Sequence, residues 1–480
     1  MKKINLLFRL IALLLGAVVA TGASLYLGFA TGLGPWMGPL LLLCVRLLVR
    51  AQPFEQSFRL VVVGGMGAAI ATAVAFSFPT LFFVDAALWH SLMAQPLVFG
   101  AGAAGLIAVC GVLGQLLARR IGVVNDAVVP VVSPAVMALQ AAWGGFTVRV
   151  NERLLLVGGI VAGVLVFFTS PLCIASGFFA GPALALPLLC GMVIRYGIGE
   201  QPERIGALVS GLLLGSVITA LVRGGLRLSG AQQVRVSFAG MLPSCAEGVC
   251  LLLIGIVLFG SGLSALAAIV CVLVLIPVNL HLGHFAQMTG LAPYGRYMTL
   301  VMLLLLSLPG QAPVALILVC VIIGVVGAAL VQGFFARQWG SLHGIAPASV
   351  ERLLHGSLLL AAVVVPWGVW FLSTHYTLGV APLIAHRGLS RALLMTAFSW
   401  HSSLVAIGVG LGCVLQLVRL NPFLLFGGLI MPYSMAVPLG IGSLCARWIA
   451  WRSEGEIVAV GLLIGDILLQ IVRSVSLLIW

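Results

Sequence analysis

Eleven acidic side chains occur in 480 residues, and two of them stand where an ionised carboxylate is costly. Glu247 lies in GMLPSCAEGVCLLL and Asp466 in AVGLLIGDILLQIV. A charge at the centre of a membrane helix costs about 2.5 to 3.5 kcal/mol on insertion scales, so such a group is paired, protonated or turned to a cavity. Both are therefore candidate proton- or cation-coupling groups. The structural alternative is a protonated or arginine-paired acid. His281 and His284 are spaced to share one helix face. Two imidazoles so placed can take a proton or a transition metal; the preferred reading is the plainer one, interfacial histidines at a loop. After them comes AQMTGLAPYGRY, a Gly- and Pro-interrupted polar segment between two apolar runs. His284 ahead of it, and Gln287, Thr289, Tyr294 and Arg296 within it, are candidates to line a substrate path. His401, in SWHSS, reads as interfacial.

A second interrupted stretch is LNPFLLFGGLIMPYSMAVPLGIGSLCAR, residues 420–447. It is apolar enough for a membrane, yet it carries Pro422, Pro432 and Pro438 and paired glycines, with Tyr433 and Ser434 beside the central proline. Proline removes a backbone N–H and clashes with the preceding turn. In hydrocarbon such a break survives only where it is buried in protein or lines a cavity. Secondary transporters build midplane binding sites from discontinuous helices, so Pro432, Tyr433, Ser434 and Pro438 join the candidate substrate path. Half-helix N-termini there can hold a carboxylate by their dipoles. The alternative is one long, kinked packing helix, because Pro and Gly are common in membrane helices.

Composition fixes the setting for these residues. The chain is 62% hydrophobic and 7% charged, with a mean hydropathy of +1.24. That balance predicts an all-α, polytopic membrane protein. At about 20 apolar residues per crossing, 480 residues allow roughly 14 to 16 spans with broken or re-entrant pieces. No stretch is polar enough for a soluble domain, and no Walker-type loop occurs, which argues against ATP-driven transport by this chain alone. The net charge of +13 is spread over loop ends such as Lys2, Lys3, Arg119, Arg120 and Arg447, as in the positive-inside pattern. No basic patch is interleaved with aromatics, so nucleic acid is not an expected partner. The ten cysteines make no C-x-x-C pair and read as small apolar residues, with no metal site or cofactor implied. An enzyme is not expected: there are no paired carboxylates at useful spacing, no H-E-x-x-H and no G-x-S-x-G.

Read in order, spans are expected near 7–27, 40–49, 60–83, 98–117, 154–168, 173–194 and 205–221. After a polar loop at 223–235 come 247–259, 263–280, 297–308, 314–335, 353–372, 399–417, 423–444 and 457–479. That loop suggests two transmembrane halves, 1–235 and 236–480, without a letter-level repeat. Asp85 and His90 are expected in a loop. The basic start and small-residue end of MKKINLLFRLIALLLGAVVATGAS look like a signal peptide, but the apolar run continues through Tyr26 and reads as an uncleaved first span. Charge alternation over the first four spans puts the N-terminus in the cytoplasm of a cell (inner or plasma) membrane.

Six stretches, in consistent order over most of the chain, resemble the oligopeptide transporter (OPT) family, which includes the yellow-stripe-like metal–chelate transporters. They are SLYLGFATGLGPWMGPLLLLCVRLL, GMGAAIATAVAFSFPTLFF, LARRIGVVNDAVVPVVSPAVMALQAA, CIASGFFAGPALALPLLCGMVI with Gly181 and Pro182, GSLHGIAPASVERLLHGSLLLAAVVVPWGVWFL with Gly344 and Pro347, and GGLIMPYSMAVPLGIGSLCARW followed by VGLLIGDILL. Asp466 stands at the family's intramembrane acid. The chain differs from the family pattern at Val61 and Val62, where a Gln-Thr pair is common, in lacking an acid in QGFFARQWGS, and in being shorter. The resemblance implies a proton-coupled symporter of small peptides or metal chelates with about sixteen spans. Glu247 or Asp466 would then take the proton. The competing readings are a non-transporting membrane scaffold or subunit that keeps the fold, and a membrane-embedded lipid-modifying enzyme. Association into a homo-oligomer is left open by the sequence.

Overall fold

A computed structural model describes residues 2–31, 54–121, 152–165, 171–180 and 185–199, most of 201–219 and 243–417, and part of 425–469. The elements are helices, with no strand among the described residues. In chain order they are α1 (Lys2–Thr31), α2 (Phe54–Ser77), α3 (Thr80–Val84), α4 (Ala86–Met93), α5 (Pro96–Ile121), α6 (Glu152–Leu165), α7 (Pro171–Ala180) and α8 (Ala185–Ile198). There follow α9 (Cys245–Gly260), α10 (Ala265–Thr289), α11 (Tyr294–Leu306), α12 (Pro313–Leu342), α13 (Pro347–His375), α14 (His386–Ala397), α15 (Ser402–Leu417) and α16 (Tyr433–Trp448). Helical positions also lie between 203 and 219 and between 455 and 469. This is a polytopic helical membrane protein. Six described helical segments are long and apolar enough to cross a bilayer, and further apolar helices of 10–17 residues accompany them.

Burial sorts the long helices. Over an 18-residue apolar window, 94% and 89% of residues are buried in Phe58–Val84 and Pro313–Ser341, against 39% and 44% in Pro96–Ile121 and Pro347–His375. So α2 and α12 form the centre, with α13 packed on both of them and α5 packed on α12 and α13. The outer faces of α5 and α13 carry exposed Leu97, Val98, Leu359, Val363 and Phe371. In a membrane such apolar side chains face lipid.

The direction of each helix can be read from its contacts. On α1, Gly16 meets Leu60 and Gly28 meets Ala75 of α2, so α1 and α2 run parallel. The N-terminal end of α2 meets the C-terminal end of α12, where Phe58 packs on Trp339 at 5.1 Å between ring centroids. Arg119, Arg337 and Glu351 meet at the same end. At the other end of α12, Ser264 donates its N–H to Gln311 Oε1 at 3.1 Å.

The remaining helices pair by backbone contact. A Cβ at Gly158, Gly177, Gly191 or Gly211 would collide with the backbone at Val458, Leu439, Leu425 or Val405. Conversely, Gly428 abuts Leu188, Gly442 abuts Ile174 and Gly408 abuts Leu208. Small residues let helix backbones touch and gain dispersion contacts where lipid offers no hydrophobic drive. The pairing runs in reverse order: α6 against 455–466, α7 against α16, α8 against 425–429, and 203–219 against α15. The glycines face one another as 158 with 461, 177 with 442, 191 with 428 and 211 with 408, so the intervals on one stretch recur backwards on the other. These contacts join residues from both sides of the polar loop at 223–235, which lies outside the described residues.

Several expected elements change in the fold. The span expected over 60–83 breaks after Ser77: a turn at Phe78 and Pro79 precedes α3, because Pro79 has no N–H to continue the ladder. Asp85 and His90 are not in a loop. The Asp85 carboxylate caps α4 by accepting from Leu88 N–H at 2.9 Å, and His90 lies within that helix. The span expected over 173–194 is two helices, α7 and α8, with 181–184 outside the described residues. The span expected at 40–49 and the Pro-rich stretch after Arg120 are also outside them. Pro277 and Pro438 sit inside α10 and α16 without ending either.

We expect Gly408→Ala and Gly191→Ala each to cost about 1 to 3 kcal/mol by overpacking. Gly410, which has nothing within 4 Å of an added Cβ, should accept alanine with a change under about 0.5 kcal/mol. Thermal unfolding of the purified protein in detergent would read the difference.

Candidate functional site

Helix α11 has 13 residues, which at 1.5 Å each is about 20 Å, too short for a hydrocarbon core of about 30 Å. Its start lies beside the middle of α12. Tyr294 Cβ is 3.8 Å from where a Cβ on Gly327 would stand, and Met298 abuts Gly324. The chain therefore reaches the inner part of the bundle in α10, turns back near Ala292, and begins a half-length helix at mid-depth. Tyr294 N–H closes a tight turn onto Ala292 O at 2.8 Å.

Four guanidinium groups gather at this helix start. Arg296 belongs to the first turn of α11, and Arg195 of α8 with Arg387 and Arg391 of α14 lie within its electrostatic reach. Arg391 is 4% exposed and is held on every side. It donates to Gly295 O at 2.9 Å, to Thr299 Oγ1 at 3.1 Å, and to Phe76 O in the last turn of α2. Arg387 lies over the Phe76 ring at 5.5 Å, and Arg195 over the Tyr433 ring at 4.7 Å. A cation over an aromatic face is attracted by the ring quadrupole. Tyr433 opens α16, so a second short helix also begins here. Its Oη is buried and has no hydrogen-bond partner among the described residues. None of α11, α14 and α16 has an acidic residue in its first turn.

Beside this cluster runs a polar seam on α10. His281 Nδ1 shares a 2.7 Å hydrogen bond with Tyr297 Oη, and His284 Nδ1 is 3.4 Å from Gln287 Oε1. Asn279 Nδ2 donates to Leu275 O at 2.9 Å, while its Oδ1 is buried without a partner among the described residues. The histidines are thus not interfacial residues of a loop. Helix α10 continues to Thr289, well beyond the expected end at 280, and buries His281 against α11. Among the described residues no group of three or more His, Cys, Asp or Glu side chains is placed to hold a metal ion.

The sequence candidates divide as follows. Tyr294 and Arg296 lie in the first turn of α11, with His284 and Gln287 on the neighbouring α10, and Tyr433 lies under Arg195 of α8. Thr289 ends α10, Ser434 is exposed and Pro438 is buried. Pro432 lies outside the described residues. The two acids are elsewhere. Glu247 is 2% exposed at the start of α9, where its carboxylate accepts from Ser244 N–H at 2.6 Å in a capping box and pairs with Arg120 of α5. The neighbouring Arg119 pairs with Glu351 at 3.0 Å, and Arg337 joins the same carboxylate at 2.7 Å. Asp466 is also 2% exposed, on the helical stretch whose Gly465 packs against Gly159 and Ala162 of α6. Arg195, Arg387, Arg391, Phe76 and Tyr297 were not singled out from the sequence. The signal existed for Arg195, a lone cation in LLCGMVIRYGIG, because the cost argument applied to Glu247 and Asp466 applies equally to a base.

Compared with known proteins, the chain matches no family model, and no curated protein is similar to it.

Replacing Glu247 by Gln keeps the capping-box geometry, since Gln serves at that position, but removes the carboxylate charge that Arg120 pairs with. We expect E247Q to destabilise by about 2 to 3 kcal/mol, less than for a fully buried pair because Arg120 is partly exposed. The double variant E247Q/R120Q should be more stable than E247Q alone. Denaturant unfolding of the four proteins as a double-mutant cycle measures it.

Proposed function

We propose that this chain is a secondary active transporter that imports small oligopeptides, or peptide-like metal chelates, together with protons. The observation that carries the reading is the half-length helix α11 starting at mid-depth, with Arg296 and Tyr294 in its first turn and Arg195, Arg387, Arg391 and Tyr433 converging on it. A helix start inside a bilayer is tolerated where protein or a water-filled cavity surrounds it, and transporters place substrate sites at such interruptions. The resemblance to oligopeptide transporters supports the same reading and supplies the substrate class and the coupling ion.

In this reading the bundle end that holds Arg119, Arg120 and Arg337 is cytoplasmic, by the positive-inside rule. The N-termini of α1 and α2 lie at that end, and the membrane is the inner or plasma membrane. Substrate enters from the opposite end and binds at the start of α11. Glu247 or Asp466 takes the proton. For Glu247 the pairing with Arg120 supplies the two-state element: protonation releases the arginine, and deprotonation recaptures it. Alternating access then consists of the half-helices rocking against the central pair α2 and α12.

The test is uptake of labelled tri- and tetrapeptides into proteoliposomes that hold only this protein. Accumulation with an acid-outside gradient, and none without it, is expected. E247Q or D466N should abolish gradient-driven accumulation while leaving peptide exchange. Wild-type accumulation by both variants would remove the acids from the mechanism, and no uptake of peptide or chelate by folded protein would overturn the transporter reading.

A further inference from the structure

The polar seam of α10 touches the half-length helix directly. His281 is 7% exposed, and its Nδ1 shares the 2.7 Å hydrogen bond with Tyr297 Oη in α11. The two rings stack at 5.7 Å between centroids and 21° between planes. This pair fastens α10 to α11. One turn before His281, Pro277 removes the N–H that Leu273 O would accept, and helices bend at such a missing rung. Between the two, Asn279 Nδ2 donates to Leu275 O, while its buried Oδ1 has no partner among the described residues. The helices packed on α10 are α5, α7, α9, α11 and α12. Their sequences hold one acid between them, Glu247 of α9, and Arg120 and the Ser244 N–H engage it at the bundle end. The titratable groups facing His281 are Tyr297 from α11 and His284 one turn further along α10. Elsewhere on these helices, Arg119 and Arg337 pair with Glu351, Cys320 of α12 lies on Met298 O at 3.6 Å, Tyr294 and Arg296 open α11, and Cys110, Cys173, Cys250 and Cys271 are buried thiols.

We propose that His281 is a proton-coupling residue, distinct from the two acids, and that a proton on its ring opens the joint between α10 and α11. A neutral imidazole carries hydrogen on one nitrogen, so Nδ1 either gives to Tyr297 Oη or accepts from it. A proton taken from water forms an N–H bond at the bare nitrogen, after which both nitrogens donate and neither accepts. The ring then bears a full charge among apolar helices, which is costly without water or a carboxylate. Glu247 is engaged at the bundle end, so water must meet that cost, and water reaches the ring only when α11 parts from α10. Return of the proton to water restores the neutral ring and the closed joint. Acid therefore shifts the population towards the open joint. The opposite side of α11 does not respond: Arg391 holds it to the end of α2 through Gly295 O and Phe76 O, and a guanidinium stays protonated. Half-helix α11 is thus fixed on one side and proton-sensitive on the other. The inference rests on the transporter reading for the use of this movement, which would admit substrate to the start of α11, but the movement is tested without transport.

The test is hydrogen–deuterium exchange of the full-length protein in neutral detergent, read by mass spectrometry over α11 and corrected for the pH dependence of the chemical step. With an open ring at the ordinary imidazole pKa of about 6.5 and a closed joint that admits only the neutral ring, acidification from about pH 7.5 to about pH 5 should speed exchange by up to about 30-fold. His281→Gln can still hydrogen-bond Tyr297 but cannot gain a charge; it should be protected like wild type at the higher pH and show no acid response. Tyr297→Phe removes the fastening and leaves the ring, so it should exchange faster at the higher pH and still respond to acid. His355→Gln, at an exposed position on α13, should respond as wild type. Monodisperse elution and an unchanged melting profile at the higher pH show that His281→Gln is folded, and His281→Asn carries the same test if it is not. No acid response in wild type, a full response in a folded uncharged variant, or wild-type protection in Tyr297→Phe would each overturn the proposal. Acid opening of α11 with no peptide or chelate uptake in liposomes would overturn the transporter reading and leave the proton-sensitive joint standing. Uptake by a protein whose α11 ignores pH would do the reverse.

Discussion

In hydrocarbon every backbone N–H and C=O must find a partner inside the protein, and Arg391 is where this chain meets that demand at its most difficult point. Two helix ends lie beside it: the last turn of α2, with its surplus carbonyls, and the first turn of α11. The guanidinium donates to Phe76 O on one and Gly295 O on the other, and to Thr299 Oγ1 as well. Five donors in a fixed fork allow one side chain to serve two helices at once. The cost of bringing a buried cation there is offset by strong charge-assisted hydrogen bonds. Once that junction is made, the break at Pro79, the mid-depth start of α11 and the inward course of α14 form one connected arrangement.

Acidic residues are few, and their placement divides the bundle into two electrical regions. At the end of α5, Arg119, Arg120 and Arg337 are matched by Glu351 and Glu247, and the Glu247 carboxylate also caps the first turn of α9. Helix dipole and ion pair act in the same direction there. At the start of α11, Arg391 is instead met by backbone carbonyls and a hydroxyl. One region is electrically closed and fastens helices together. The other joins two helix ends through the donors of Arg391.

Much of this was legible in the residues themselves. Composition dictates the helical membrane fold, and the Gly- and Pro-interrupted run between His284 and Tyr297 marks the place where the chain turns back at mid-depth. Tyr294, Arg296 and Tyr433 stand out as candidates because polar side chains beside helix breaks in an apolar sequence have few bland explanations. The arginines from α8 and α14 were less visible. Arg387 and Arg391 lie in an amphipathic stretch that reads locally as a surface helix, and only its contact with Phe76 and Gly295, far away in sequence, shows that its polar face turns inward. The end of α10 was misplaced for a related reason: His281 and His284 look like a boundary in a hydropathy profile, yet Tyr297 supplies the partner that lets His281 remain in the helix interior. Glu247 showed the converse. Its cost in apolar surroundings was correctly noted, but a capping box and an arginine 127 residues away account for its burial.

The reversed glycine pairing sets an order of assembly. During synthesis the stretch from Gly158 to Gly211 is inserted long before its partners exist, so its close-packing faces must wait, covered by lipid or by translocation machinery. The first partner to emerge is Gly408, which meets Gly211, the member of the early stretch nearest to it in sequence. Gly428, Gly442 and Gly461 follow, each reaching an earlier glycine. The two stretches therefore close like a zipper from the inside of the chain outward. Each closed pair brings the next within reach, so the large loop-closure cost is met once, at the first pair. The outermost pair in chain order seats the helical stretch of Asp466 against α6.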